Sequence, residues 1–498
     1  MPAAADIQDL IVIGGGINGV GIALDAAGRG LSVLLCESGD LGGATSSRSS
    51  KLAHGGLRYL EQGAFRLVRE ALDEREILLR NAPHISHPLR FRLPLNPNLR
   101  PAWQVRAGLF LYDHLARRHS LPPSHAVRFG PDDPLSPDFV RGFEYSDGWI
   151  DDARLVVLVA MAARERSAEI LPRTGCVAAR REDGIWRLTL ERSGRRFEHR
   201  ARALVNATGP WASRLFADVL GRSAPQQLRL VKGSHIVVPR IYSGSEAYIL
   251  QHQDGRIVFV IPYEERYSLI GTTDVDYHGD PAHAEISAAE IDYLLNVVNR
   301  HFRRQTQAED LVWHYAGVRA LASQGSGSAQ RASRDYSLEL DAPQGDAPLL
   351  SVFGGKLTTY RRLAETACNR LAPFFPAAGS AWTRDAPLPG GDMDDPATLA
   401  QSLLRDCRWL PPRLADRFAH SYGTLSWRIL EGCNSIGDLG AHLGADLYAR
   451  EAHYLVRHEW AQSTEDILWR RSKLGLRFAP ADVARLESWL LDALAGET

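Results

Sequence analysis

Three glycines and one acid near the start of the chain have the spacing that binds a dinucleotide. Gly14, Gly16 and Gly19 fit the pattern G-x-G-x-x-G, directly after an apolar run. The first glycine permits a tight turn, the second lets the backbone approach a pyrophosphate, and the third lets helix and strand pack closely. Glu37 follows roughly 20 residues on, where a carboxylate can accept the ribose hydroxyls. The glycines alone also fit a simple turn, but together with Glu37 they predict dinucleotide binding.

Two later positions favour a flavin over a nicotinamide. Gly209, after the apolar run 204–207, is a second place where backbone can approach a cofactor closely. Lys356 lies where a predicted strand meets a helix N-terminus. Its positive charge and the positive end of the helix dipole both suit the pyrimidine edge of a reduced, anionic flavin. We therefore expect FAD, contacted by segments from much of the chain.

The elements that must position these residues follow from the hydrophobic pattern. Residues 9–13 and 31–36 are expected to be buried strands around a helix over 17–27, which is a βαβ unit. Apolar spacing predicts a helix over 65–80. Between 170 and 203, Asp183-Gly184 and Ser193-Gly194 indicate hairpin turns of a β-meander.

The middle and end of the chain have different patterns. Four strand-like runs between 233 and 271 predict an antiparallel sheet. Residues 349–353 return to a buried strand, with a helix from about Leu357, and the stretch after the Pro- and Gly-rich residues 387–396 is mostly helical. We expect a discontinuous FAD-binding domain (1–80, 146–225 and 345–380), a substrate domain (81–145 and 226–344) and a C-terminal helical domain (388–498).

Composition excludes several classes of protein. The 498 residues carry a formal net charge of −1, so no overall positive field argues for nucleic acid. The five cysteines contain no C-x-x-C pair, which predicts neither a metal site nor a disulfide framework and favours a reducing cytoplasm. Asp6 and Asp9 stand where a secretion signal has basic residues. Every apolar stretch is too short or too polar to span a bilayer.

Longer motifs resemble a known family, the FAD-dependent glycerol-3-phosphate dehydrogenases. The resemblance covers nearly the whole chain and rests on ordered blocks at 44–47, 50–52, 54–59, 91–94, 142–147, 206–211, 232–235, 271–274 and 353–360. One departure is Ala320, where the family usually has proline after Arg319, which itself is kept. The resemblance implies a glutathione-reductase-like Rossmann domain of α/β type, an α+β substrate domain on an antiparallel sheet, and a helical C-terminal domain.

The resemblance also implies an activity. It predicts noncovalent FAD, oxidation of sn-glycerol 3-phosphate to dihydroxyacetone phosphate, and transfer of electrons to membrane ubiquinone or menaquinone. It predicts a cytoplasmic protein, peripheral on the cytoplasmic face of the inner membrane, that contacts anionic lipid and forms a homodimer.

The site residues follow from this chemistry and the resemblance together. A phosphate dianion needs planar bidentate donors, which favours Arg58, Arg319 and Arg334, although any one arginine is more often a surface charge. A base with a pKa near neutrality favours His235, with His54 as the alternative; either could instead be structural. The catalytic residues are expected to be His235, Arg58 and Lys356. The substrate-binding residues are expected to be Arg58, Tyr59, His235, Thr273, Asp274, Arg319, Arg334 and Lys356.

The cofactor-binding residues extend along the same blocks. They are expected to be Gly14, Gly16, Asn18, Gly19, Glu37, Thr45, Ser46, Ser47, Lys51, Leu52, Gly55, Gly56, Leu57, Val177, Ala207, Gly209, Trp211, Arg319, Gly355, Lys356, Leu357 and Thr358.

Three other functions remain as alternatives. A glycerol-3-phosphate oxidase would share these motifs and use oxygen as acceptor. An amine or amino-acid oxidase of the same fold would bind carboxylates, against which the three arginines argue. A flavoprotein that only carries electrons needs no such arginines beside a base.

One segment is a candidate for contact with lipid. Residues 99–118 combine aromatic and aliphatic side chains with basic ones, a composition that suits the headgroup region. The alternative is a buried helix of the substrate domain.

Overall fold

The protein, described by a computed structural model, has two large sheets and a C-terminal helical part. The structure describes residues 7–96, 99, 101–117, 121–322 and 336–496. The strands are β1 (Gln8–Ile13), β2 (Val33–Cys36), β3 (Leu52–Ala53), β4 (Ser86–Pro94), β5 (His125–Arg128), β6 (Arg141–Ile150), β7 (Glu169–Leu171), β8 (Gly175–Glu182), β9 (Ile185–Arg192), β10 (Arg195–Asn206), β11 (Leu228–Pro239), β12 (Ala247–Gln251), β13 (Ile257–Tyr263), β14 (Tyr267–Gly271), β15 (Val275–Asp276), β16 (Trp313–Ala322), β17 (Ser337–Asp341), β18 (Leu349–Phe353), β19 (His442–Gly444) and β20 (Leu447–Tyr448). The helices are α1 (Ile17–Gly28), α2 (Phe65–Asn81), α3 (Ala102–His114), α4 (Asp152–Glu165), α5 (Ala212–Asp218), α6 (Ala288–His301), α7 (Tyr360–Leu371), α8 (Pro396–Asp406), α9 (Pro412–Tyr422), α10 (Ser426–Leu430), α11 (Ala449–Glu459) and α12 (Pro480–Ala495), with a π-helix over Asp466–Arg471.

The first sheet is the predicted dinucleotide-binding layer. Its central strands run parallel in the order β18-β10-β1-β2-β7, and helices α1, α4 and α7 pack together against it. Antiparallel β17 pairs with β18, and the meander β8–β9–β10 turns at the two predicted dipeptides. Fully buried aliphatic runs, such as Leu10–Val12 and Leu34–Leu35, explain the parallel pairing, because both faces are covered. The FAD-type Rossmann layer is therefore confirmed.

The structure shows why two positions of the fingerprint require glycine. Gly14 has φ +113°, a conformation that residues with a side chain rarely adopt. A Cβ on Gly19 would collide with the carbonyl oxygen of Gly14, so α1 can approach β1 only with glycine there.

The second sheet is mainly antiparallel, as expected, in the order β15-β11-β14-β13-β12-β4-β6-β3, with β16 beside β11 and β5 beside β6. One pair, β12 with β4, is parallel, which alternation of polar and apolar residues does not reveal. Helix α6 packs on one face, and α3 contributes Val105, Leu109 and Tyr112 to the apolar cluster on the other. Strand β3 and the end of β6 belong to this second sheet, although both come from segments predicted for the FAD-binding domain. The domain boundaries stay a prediction.

The C-terminal part is helical, as predicted, with its own core that includes Leu403, Phe418, Tyr422 and Leu455. It also contains the small hairpin β19–β20, and helix α7 begins at Tyr360, three residues after the expected start. Within the described ranges, no helix is both long enough and apolar enough to cross a bilayer.

Candidate active site

A cavity of about 1140 Å³ opens where four parallel strands end. β1, β2, β10 and β18 end at Ile13, Cys36, Asn206 and Phe353, and the residues that follow each of them line the cavity. Ligands of open α/β sheets bind at such carboxyl ends. The predicted cofactor residues that line it are Gly14, Gly16, Asn18, Glu37, Thr45, Ser46, Leu52, Gly56, Leu57, Ala207, Gly209, Trp211, Arg319, Gly355, Lys356, Leu357 and Thr358.

The N-terminus of α1 is shaped for a pyrophosphate. Its first turn carries no acidic side chain, and the positive end of the helix dipole faces the cavity. A Cβ on Gly16 would meet only the Ser46 hydroxyl within 4 Å, which leaves the cavity side of that backbone open. The residues present therefore fit the pyrophosphate of FAD.

Glu37 is fixed beside this turn. One carboxylate oxygen accepts from the backbone N–H of Gly15 at 2.7 Å, and the other accepts from that of Gly39 at 2.7 Å. The carboxylate is thus oriented by backbone on both sides while it lines the cavity, where it can accept ribose hydroxyls.

Five predicted cofactor residues lie outside the cavity lining. Gly19 packs against β1, and the side chain of Lys51 is buried, with its ammonium 2.8 Å from Asp152. The N–H of Gly55 donates to the Tyr112 hydroxyl, and Ser47 donates to the Ala44 carbonyl. Val177 lies at an irregularity of β8 where the neighbouring Cys176 lines the cavity instead. Their predicted contacts with FAD stay predictions.

The cavity lining includes several cationic side chains. Arg58, Arg319 and Lys356 line the cavity together with Arg48, which the sequence reasoning did not select although it lies between the motif blocks 44–47 and 50–52. The Lys356 ammonium lies 3.9 Å from the centre of the Tyr59 ring, a cation–π distance. Arg334 lies outside the described residues.

Arg319 is held in place by the strand ends beside it. Its guanidinium donates to Asp274 at 2.6 Å and to the Thr272 hydroxyl at 2.8 Å. Thr272 and Asp274 line the cavity. The predicted Thr273 does not, because its buried hydroxyl accepts from Ser234 and donates to Glu290. Thr272 therefore lines the cavity where Thr273 was expected to.

His235 lies one hydrogen bond behind the cavity wall. Its side chain is 1% exposed, and its Nε2 is 2.8 Å from the hydroxyl of Ser50, which lines the cavity. Burial, then the charges of Arg319 and Lys51, hold the pKa of His235 well below its ordinary value. The ring is therefore neutral at pH 7, which leaves a ring nitrogen free to accept a hydrogen bond, while burial and the two cations oppose its protonation. The alternative base, His54, lines the cavity directly.

A glycine fingerprint, an acid fixed beside it and several cationic side chains in one cavity are the features expected of an FAD-dependent oxidoreductase. The chain matches the family described as FAD dependent oxidoreductase over residues 9–361, and residues 381–488 match the C-terminal domain of alpha-glycerophosphate oxidase. The chain belongs to the FAD-dependent glycerol-3-phosphate dehydrogenase family.

Individual relatives support this assignment. A glycerol-3-phosphate dehydrogenase of Pseudomonas aeruginosa is 58% identical, with 98% of this chain and 95% of the relative covered. A D-erythritol 1-phosphate dehydrogenase of Brucella abortus is 48% identical, with 99% of each covered. The crystal structure of a Bacillus halodurans glycerol-3-phosphate dehydrogenase complexed with FAD has a TM-score of 0.76 and 27% identity, covering 99% of this chain and 91% of that one.

Proposed function

We propose that the protein oxidises sn-glycerol 3-phosphate to dihydroxyacetone phosphate and passes the electrons to a membrane quinone. The observation that carries this proposal is the continuity of the cavity, which joins the dinucleotide fingerprint to Arg58, Arg319 and Lys356. A phosphate dianion in a partly desolvated site needs several such cations. An amine or amino-acid substrate would need fewer.

The residues of the cavity have separate roles in the reaction. Bound FAD supplies the acceptor for the hydride that leaves C2 of the substrate. Arg319, oriented by Asp274, and Arg58 hold the phosphate, while Lys356 beside Tyr59 places a further positive charge in the cavity. The proton of the C2 hydroxyl passes to the Ser50 oxygen as the Ser50 proton passes to His235 Nε2, over a 2.8 Å hydrogen bond.

Anaerobic addition of glycerol 3-phosphate to the yellow protein is expected to bleach the visible flavin absorbance. D-erythritol 1-phosphate is the matched comparison, because a 48% identical relative carries that activity in its name. Glycerol and inorganic phosphate serve as controls that each supply half of the substrate. Faster bleaching by the erythritol ester would replace the proposed substrate, and no bleaching by either ester would reject a polyol phosphate.

The acceptor is proposed separately. The match to an alpha-glycerophosphate oxidase domain keeps oxygen as the alternative to ubiquinone or menaquinone. Stoichiometric peroxide during turnover in air, with no gain from added quinone, would favour the oxidase.

A quinone acceptor requires contact with a membrane, and α3 has a surface suited to it. Val105, Leu109 and Tyr112 are buried, whereas Trp103 is 73% and Phe110 53% exposed. The exposed aromatics lie beside the cavity mouth, since Gln104, Gly108 and Leu111 of the same helix line the cavity. We infer that this face lies in the headgroup region of anionic lipid on the cytoplasmic side of the inner membrane. The homodimer implied by the family stays a prediction.

Replacing Trp103 and Phe110 together by serine is expected to release the protein from anionic vesicles without loss of FAD, because both side chains are exposed. Vesicle sedimentation and a thermal melt measure the two effects. The matched control replaces Phe374 and Trp427, which are 39% and 36% exposed elsewhere. A folded Trp103/Phe110 variant that still sediments with vesicles would exclude this surface as the membrane contact.

A further inference from the structure

The π-helix Asp466–Arg471 touches the active-site cavity although it belongs to the C-terminal part. Ser463, Glu465, Asp466 and Arg470 line the same cavity as the glycine fingerprint. The N–H of Ser472 donates to the Ile467 carbonyl, an i to i−5 bond that defines the π turn. Such turns are often found at functional sites, which directs attention to what these side chains contact.

Two arginines of the π-helix hold the loop that follows Glu37. Asp40 accepts from Arg470 Nε at 2.6 Å and from Arg471 Nη2 at 2.8 Å, and Arg471 Nη1 also contacts it. All three side chains are at least nine-tenths buried. Between Asp40 and the fingerprint, the N–H of Gly42 donates to the Gly15 carbonyl at 3.0 Å. The loop is therefore fixed to the fingerprint on one side and to the π-helix on the other.

Two further ion pairs connect the π-helix to the cavity lining. Asp466 bonds Arg470 at 2.5 Å and Arg173 at 2.5 Å, and Arg173 itself lines the cavity beside Thr174 and Gly175. Because Asp466 is fully buried, loss of these arginines would leave an uncompensated buried charge, which is strongly unfavourable. The loop thus has little freedom to move away from the cofactor site while the π-helix is in place.

Trp469, next to Arg470 in the π-helix, is connected to the proposed base by aromatic contacts. Trp469 stacks on Trp313 with ring centres 4.2 Å apart and planes at 17°. Trp313 contacts Tyr315 at 4.9 Å, and Tyr315 stacks on His235 at 4.8 Å and 18°. Aromatic contacts at these distances hold rings in defined orientations. A continuous row of four rings therefore joins the π-helix to the proposed base.

We propose that the π-helix is a positioning element of the active site. Arg470 and Arg471 hold the FAD-binding loop through Asp40, and Trp469 holds His235 through Trp313 and Tyr315. One short segment thereby fixes the cofactor and the base relative to each other, which catalysis requires to within about 0.5 Å. The His235 half rests on the proposed function, whereas the FAD half does not.

The FAD half is tested by the FAD dissociation constant, followed by flavin fluorescence on dilution of the holoprotein. Asp40→Asn and Arg470→Met are expected to raise this constant by at least about tenfold, a change of about 1.4 kcal/mol. Arg470→Lys and Asp40→Glu are milder variants that carry the test if the first two fail to fold, and an intermediate rise is expected from them.

The matched control is Glu451→Gln, which breaks the largely buried Arg417–Glu451 pair between α9 and α11 away from this cavity. It is expected to lower the melting temperature and leave the FAD dissociation constant unchanged. Wild-type FAD affinity in the Asp40 and Arg470 variants would overturn the proposal. So would an equal loss of affinity in Glu451→Gln, since the effect would then be a general loss of stability.

The His235 half is tested by flavin reduction in FAD-loaded Trp469→Ala. Its rate at saturating glycerol 3-phosphate is expected to fall about tenfold with little change in the Michaelis constant, and Trp469→Phe is expected to restore most of it. Trp427→Ala, in the same C-terminal part, is the control, and its rate of flavin reduction is expected to equal that of wild type. Equal rates in Trp469→Ala and wild type would reject this half. If wild-type flavin is not reduced by this substrate, the proposed function fails, while the FAD measurements still decide the other half.

Discussion

Replacing His235 by glutamine is expected to slow flavin reduction by about 10²–10⁴-fold, the usual contribution of a positioned general base. Glutamine can keep a hydrogen bond to Ser50 but accepts no proton at neutral pH. Rapid-mixing anaerobic reduction at saturating substrate measures the chemical step directly. FAD content is expected to stay normal, because His235 is outside the cavity lining.

Two companion variants distinguish the route of the proton. If Ser50 relays it, Ser50→Ala slows the same step, since the 2.8 Å bond to Nε2 is the link between the cavity and the buried ring. If His54 is the base, His54→Gln slows reduction and His235→Gln does not. An unchanged reduction rate in His235→Gln would therefore move the role to His54 or to solvent.

The pH dependence has a definite sign. Because burial, Arg319 and Lys51 lower the pKa of His235, the neutral, proton-accepting form persists below pH of about 6.5, where an exposed histidine is protonated. The reduction rate in the saturated complex is expected to stay level as the pH falls through that range, and to drop only at lower pH. A drop centred on the ordinary histidine value would favour a more exposed base.

The part of the site that the sequence predicts is the part encoded locally. Gly14, Gly16 and Glu37 are close in the chain, and the glycine spacing dictates a tight turn of the backbone. Their place at one turn can therefore be predicted from their spacing. Arg319 follows from the family resemblance, because charge alone does not distinguish an arginine in a cavity from one on the surface, whereas Lys356 follows from its place between a predicted strand and a helix N-terminus.

The differences between the expected and the observed placement of these residues have physical reasons. Neighbouring residues at strand ends face opposite ways, so a shift of one position separates Thr272 in the cavity from Thr273 behind it, and Ser50 from Lys51. The contact of Asp40 with Arg470 joins residues 430 positions apart and has no local signal. It becomes visible only when the C-terminal helices are packed against the Rossmann layer.

Replacing Arg319 by alanine is expected to raise the Michaelis constant for glycerol 3-phosphate by about 30- to 1000-fold, since one charge-assisted partner of the phosphate contributes about 2–4 kcal/mol. The maximal rate and the FAD content are expected to change much less. Asp274→Asn, which frees the guanidinium from its 2.6 Å partner, is expected to give a smaller rise.

The phosphate-free substrate glycerol makes this test specific. Its oxidation is expected to be very slow and to be equally slow in wild type and Arg319→Ala, because it has no group for the guanidinium to hold. Arg229→Ala is the matched control, since Arg229 lies on the neighbouring strand β11 and pairs with Asp276 outside the cavity. A wild-type Michaelis constant in Arg319→Ala would remove this arginine from the phosphate site. An equal loss with glycerol would mean that the substitution disturbs the reacting end of the cavity, because only a phosphate contact makes the effect depend on the phosphate.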